Sequence, residues 1–172
     1  QAMLDAERVL VVGTGAGLVV GSLLVRLLRH VGLQGQIMQP GGVDLAIQLY
    51  DAGPKDLVIG ISTWIAFRDV VRAIEIAHRL GARTVALAGS TANALVAAAD
   101  YSLVSPTQGQ PLRFSVVGLV AVVEAIVPRI AEQRPAQVEA HDRALHELYV
   151  DEGLMAELPL ATNSDKSPEH GP

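Results

Sequence analysis

From Gly13 to Gly17 the chain reads Gly-Thr-Gly-Ala-Gly, between a β-branched run and an apolar stretch of helical character. Glycines at a strand-to-helix turn let backbone N–H groups and a helix N-terminus face an anion. The same glycines also suit a turn that must be tight under a closely packed helix, and both readings stay open at this point. A dinucleotide fingerprint would put its third glycine where Leu18 stands. It would also want an acid after the second strand, where the chain has Met38-Gln39-Pro40, so no nicotinamide or other cofactor is expected. A second polar point, Ser62-Thr63, runs at once into Trp64, Ile65 and Phe67. Proton abstraction beside a carbonyl needs a Glu or His near the reacting carbons. Glu124, within an apolar helix, is the best candidate, yet a lone carboxylate there equally suits a helix edge, an interface or a capping contact, and no catalytic residue is assigned. His30 and His78 fall in the last turns of helices, where positive charge is favourable. His141 and His146 are five apart, off the i, i+4 spacing that puts two ligands on one helical face, and no metal site is assigned.

The elements that must position these residues alternate. Strands are expected at Arg8–Val12, Gln34–Met38, Asp56–Ser62, Arg83–Ala88 and Tyr101–Val104. Helices are expected at Leu18–Val31, Val43–Tyr50, Phe67–Leu80, Ala92–Ala99, Phe114–Glu132 and Pro135–Asp151. Gly81 sits where a helix C-terminal glycine belongs. Asp56–Ser62 is nearly continuous in apolar residues, as a strand covered on both faces should be. Right-handed βαβ units then give an α/β fold, a three-layer α/β/α sandwich on a five-stranded parallel sheet of order 2-1-3-4-5. Ligands of such sheets bind beyond the carboxyl ends of the strands, here at the loops after strands one and three. Residues 1–155 form the expected domain, and residues 156–172, poor in anything that could be buried, the expected disordered tail.

Val11-Val12-Gly13-Thr14-Gly15-Ala16, Asp56-Leu57-Val58-Ile59-Gly60-Ile61-Ser62, Arg68-Asp69-Val70-Val71, Gly81-Ala82-Arg83-Thr84-Val85-Ala86-Leu87 and Ala99-Asp100-Tyr101 follow one another in the order and spacing of a sugar isomerase (SIS) domain. The resemblance spans most of Arg8 to about Leu148. Gly60-Ile61-Ser62 ahead of Arg68-Asp69-Val70-Val71, with Gln133-Arg134-Pro135 near the end, is most similar to the effector domain of RpiR/MurR-type bacterial transcriptional regulators. The resemblance implies a phosphosugar-sensing fold and contact with DNA only through a helix-turn-helix domain upstream of the abrupt start at Gln1. With no catalytic residue assigned, no enzymatic activity is expected; the lack of cysteines fits a cytoplasmic protein, and the apolar excess on Leu18–Val31 and Val116–Val127 is read as an interface, so that a homodimer is expected.

Departures from the family pattern shape the expected site. Such domains carry a serine at the fifth position of the first glycine turn and a Ser-x-Ser-Gly-x-Thr loop after strand three. Here those positions hold Gly17, and Ser62 followed by Trp64, Ile65 and Phe67. A hydrogen bond to a charged group contributes about 1.5–3 kcal/mol, so three missing hydroxyls remove much of a micromolar affinity, about 8 kcal/mol in all. The ligand-binding positions are Gly13, Thr14, Gly15, Gly17, Ser62, Thr63, Trp64, Phe67 and Phe114. Trp64, Phe67 and Phe114 are three of six aromatic residues (one Trp, three Tyr, two Phe). They suit a sugar derivative or a less charged organic effector. Side chains that plug an abandoned pocket, and a phosphorylated ligand held by backbone amides, remain the alternatives.

Composition excludes other classes. The net charge of −5, in a chain of 172 residues, leaves no basic surplus for a nucleic-acid backbone. The longest apolar stretch, Val116 to Val127, is shorter than the ~20 residues of a membrane span. There are no cysteines, hence no disulfide or thiolate chemistry. The expected function is effector sensing within a regulator. The alternatives are a stand-alone sugar-phosphate isomerase and a structural dimerisation domain with a closed pocket.

Overall fold

All five expected strands are present in the computed structural model, which describes residues 1–39, 41–107 and 115–155. They are β1 (Arg8–Gly13), β2 (Gly35–Met38), β3 (Asp56–Ser62), β4 (Arg83–Ala88) and β5 (Tyr101–Val104). Every pairing is parallel and the order is β2-β1-β3-β4-β5. The helices are α1 (Ala16–His30), α2 (Gly42–Leu49), α3 (Arg68–Arg79), α4 (Ala94–Ala98), α5 (Val117–Ala131) and α6 (Pro135–Asp151).

Strand side chains alternate between faces, and the two cores divide accordingly. Val9, Val11, Leu57, Ile59, Ile61 and Leu87 meet α1 and α5 on one face. Leu10, Val12, Val58 and Ala86 meet α2, α3 and α4 on the other. β3 lies between β1 and β4 and is buried at all seven positions, which is why its sequence carries no polar alternation. Each fully buried Leu, Ile or Val contributes about 1.5–3 kcal/mol.

Boundaries differ from expectation by a residue or two, for local reasons. α1 begins at Ala16, inside the glycine turn, because Gly15 takes φ 53° and turns the chain into the helix at once. Phe67 stands just outside α3 with extended backbone, as its N-cap. α4 starts at Ala94 because the Asn93 side chain caps it by accepting from Leu95 N–H at 3.0 Å. Of the expected start of the fifth helix, Phe114 lies outside the described residues, and the helix runs from Val117. α3 ends as Gly81 predicts: at φ 87° its N–H reaches the His78 carbonyl while Ala82 N–H reaches Ala77, a Schellman closure.

Polar ties fasten the amino end of the sheet. Arg8 donates to both oxygens of Asp56 at 2.8 and 2.9 Å and to Asp51 at 3.2 Å, joining β1 to β3. The Asp100 carboxylate accepts from the amide and hydroxyl of Thr84 at 2.8 Å each and lies 2.9 Å from His78 Nδ1. Among the described residues no helix is long and apolar enough to cross a membrane.

Candidate functional site

The loops after β1, β3 and β4 meet at the carboxyl end of the sheet. In the first, Gly13 and Gly17 are there for packing. A Cβ on Gly13 would lie 2.8 Å from the Gly17 carbonyl carbon, and one on Gly17 would lie 2.7 Å from the Ile61 carbonyl oxygen. Gly17 thus lets α1 approach β3 more closely than any side chain allows, and the serine of the family pattern has no room in this arrangement. Gly15 is required for its positive φ instead, with open space where a Cβ would be. Backbone donors here are partly used within the turn, Gly17 N–H on Thr14 O at 3.0 Å and Leu18 N–H on Gly15 O at 3.1 Å. Thr14 Oγ1 is enclosed without a hydrogen-bond partner, one of two such side-chain atoms among the described residues; the other is Arg134 Nη1.

Ser62 closes β3 and is buried. Its hydroxyl donates to the Ile65 carbonyl at 2.7 Å and accepts from Asn93 Nδ2 at 3.0 Å. The only proton of that hydroxyl is therefore engaged in holding the loop. Asn93, buried and bonded at both ends of its amide, ties the β3 loop to the start of α4. Sequence reading passed over Asn93. Its signal was a polar residue just ahead of Ala94-Leu95-Val96, an N-cap pattern. Thr63 is also buried, and a Cβ at Gly89 would overlap its carbonyl oxygen, so β4 can leave the sheet beside this loop only through glycine.

The aromatic positions lie outward. Trp64 is 51% exposed, Ile65 43% and Phe67 50%, so in the single chain they form an apolar lip and fill no interior space. Val19 and Val117, at the first turns of α1 and α5, are exposed as well. Gly13, Thr14, Gly15, Gly17, Ser62, Thr63, Trp64 and Phe67 are thus gathered at one end of the sheet, with Phe114 outside the described residues.

Charge near these loops comes from helix starts. Arg68 opens α3, and Asp44 and Asp69 lie in the first turns of α2 and α3, where the helix dipole favours an anion. Glu124 is exposed on α5. None of the described residues in the loops at this end, 14–15, 39–41, 63–67, 89–93 and 105–107, is a His or Glu. Among the described residues no group of three or more His, Cys, Asp or Glu is placed to hold a metal ion.

The profile of the SIS domain matches residues 2–128. Among solved structures, the sugar isomerase domain of an RpiR transcription factor from Sphaerobacter thermophilus superposes with a TM-score of 0.81 at 35% identity, over 85% of this chain and 82% of that one. The Vibrio vulnificus NanR protein, solved in complex with ManNAc-6P, has the same fold, with a TM-score of 0.79 at 22% identity over 91% of this chain and 59% of that one. A phosphoheptose isomerase of Chlorobium phaeobacteroides is 45% identical over 56 residues, 33% of this chain and 25% of its own length. One from Thermodesulfovibrio yellowstonii is 36% identical over 56 residues, 28% of its length. The match spans less than a third of each of these isomerases.

Proposed function

The chain belongs to the SIS domain family and is of the RpiR type, and from that premise we propose that it is the effector-sensing domain of a transcriptional regulator, binding a carbohydrate derivative at the carboxyl end of its sheet. The observation that carries the reading is the 35% identity, over most of both chains, to the sugar isomerase domain of an RpiR transcription factor. NanR, a protein of the same fold solved with ManNAc-6P, supports a sugar phosphate or a related derivative as the class of effector.

The chemistry of the loops favours binding over turnover. Isomerisation of an aldose to a ketose moves a proton between adjacent carbons through a general base. The described loops around the candidate site offer no His or Glu for that step. What they offer is a half-exposed indole and phenyl ring beside glycine backbone, a surface for the apolar face of a sugar ring, with polar groups to orient it. The effector lies between this lip and a second protomer, and its binding resets the spacing of attached DNA-binding domains.

Trp64 is the single tryptophan of the chain, and its fluorescence reports the loop directly. Titration with ManNAc-6P, hexose phosphates and their unphosphorylated sugars is expected to give, for at least one of them, a saturable change in emission with a matching rise in melting temperature, since a ligand that binds only the folded state stabilises it by RT ln(1 + [L]/Kd). If none of these compounds shifts either signal at millimolar concentration, the sensing reading fails. The second reading, a sugar-phosphate isomerase, is favoured by the short stretches of identity to phosphoheptose isomerases.

A further inference from the structure

The loops that replace the family's hydroxyl cradle contain no cation in residues 13–17 or 62–67. The next residues along the chain supply two. Arg68 and Arg72 stand one turn apart on α3, a spacing that puts both on one helical face. With Ala66, Val71, Glu75 and Ala94 they line a cleft of about 570 Å³. Ala66 and Arg68 flank Phe67, so the cleft opens directly beside the aromatic lip. Its apolar lining is small, two alanines and a valine. Arg72 is engaged with Glu75 Oε2 at 3.0 Å, while among the described residues Arg68 makes no side-chain hydrogen bond or ion pair. Two guanidinium groups against one carboxylate give this lining a net positive charge on a chain of net charge −5.

We propose that this cleft holds the acidic group of the effector, a phosphate or a carboxylate, with Arg68 as its bidentate partner and Arg72 as the second charge, in place of the hydroxyl loop. The inference rests on the effector reading above and adds to it where the ligand's charge sits. A planar guanidinium presents two parallel N–H donors to an oxyanion, and such charge-assisted pairs are about twice as strong as neutral hydrogen bonds. The small apolar lining leaves room for the atoms that carry the acid. The aromatic residues at 64 and 67 are then compatible with a charged effector, because the charge and the ring occupy neighbouring places.

The test is a titration of isotope-labelled protein, followed by amide resonances, with glucose 6-phosphate, glucuronate and glucose, which share one ring and differ in the acid. One or both acids should shift Ala66, Arg68, Val71 and Arg72 in a saturable way, with glucose leaving those four unmoved; which acid acts separates phosphate from carboxylate. Arg68→Gln should weaken that binding about tenfold or more, and Arg72→Gln by less, because Arg72 is shared with Glu75. Both side chains are exposed, so the variants fold, and Arg68→Lys, which keeps the charge but loses the fork, should recover only part of the affinity. Two results would overturn the assignment: neither acid moving these amides, or Arg68→Gln binding as tightly as the parent. Shifts confined to Gly15 and Trp64 would refute the arginine cleft while leaving the effector reading intact, whereas failure of the Trp64 titration would remove the reading itself.

Discussion

At the scale of single residues, the candidate site is built from groups already engaged with one another. Ser62 illustrates this: its hydroxyl bonds Ile65 and Asn93 and so sets the shape of the loop that presents Trp64 and Phe67. Gly17 is held to glycine by the 2.7 Å approach of its missing Cβ to the Ile61 carbonyl. Restoring the family serine by Gly17→Ser should therefore destabilise the fold by about 1–3 kcal/mol, the range of an overpacked core, read as a lower denaturation midpoint at unchanged slope. A variant as stable as the parent would mean that α1 can move away from β3 freely. Asp56 carries a prediction at the opposite end of the sheet. The hydrogen bonds from Arg8, aided by Gly53 N–H, hold its carboxyl below the usual carboxylate range despite burial. A depressed native pKa stabilises the fold above the unfolded value, about 3.9, and that stabilisation is lost as pH falls through the native value. Asp56→Asn should cost about 1–2 kcal/mol near neutral pH, moderated by the partial exposure of Arg8, and the gap to the parent should close in acid. A gap of constant size from neutral pH to pH 3 would contradict the assignment.

At the scale of elements, the central strands were legible because they are covered on both faces: β3 and β4 are buried along nearly their whole length and have the expected limits. The edge strand β5 and the exposed helix α6 keep their limits too, and the order of the sheet follows from the alternation of strands and helices. The site was less legible, because its geometry is fixed by contacts between segments far apart in sequence: Asn93 reaching Ser62 across 31 positions, and Gly89 making room for Thr63. No local pattern announces either. The apolar excess on the long helices, read from sequence as an interface, is largely taken up by the sheet and by the two helices against each other. Leu23 and Leu27 of α1 and Val120, Val122 and Ile126 of α5 are partly buried against one core. α6 differs from every other helix in having no buried residue; it rests on the core shared with α1 through partly buried Val138 and leaves Leu148 and Val150 exposed. Local opening follows sparse burial. Hydrogen exchange should show α6 amides opening well before those of β3, and equal protection of the two would show that a partner covers α6.

At the scale of the whole molecule, a parallel sheet carries a lip of exposed apolar residues at its carboxyl end, in a family whose members include regulators. Val19, Trp64, Ile65, Phe67 and Val117 are all exposed in the single chain, on the first turns and loops where the effector is proposed to sit. Exposed apolar surface of this kind is where an interface is proposed. Sedimentation at tens of micromolar should accordingly give a dimer, and a monomer would contradict the shared site. The central claim, that the chain senses a sugar derivative without transforming it, has its most direct test in the fate of the ligand. The protein is incubated with ManNAc-6P, a hexose phosphate and a heptose phosphate in deuterated buffer, and the sugars are then examined by proton resonance. A compound which binds should be recovered unchanged, with its carbon-bound protons unexchanged and no isomer formed. Conversion to the isomeric ketose or aldose in proportion to the protein present, or deuterium entering at the carbon beside the carbonyl, would contradict it.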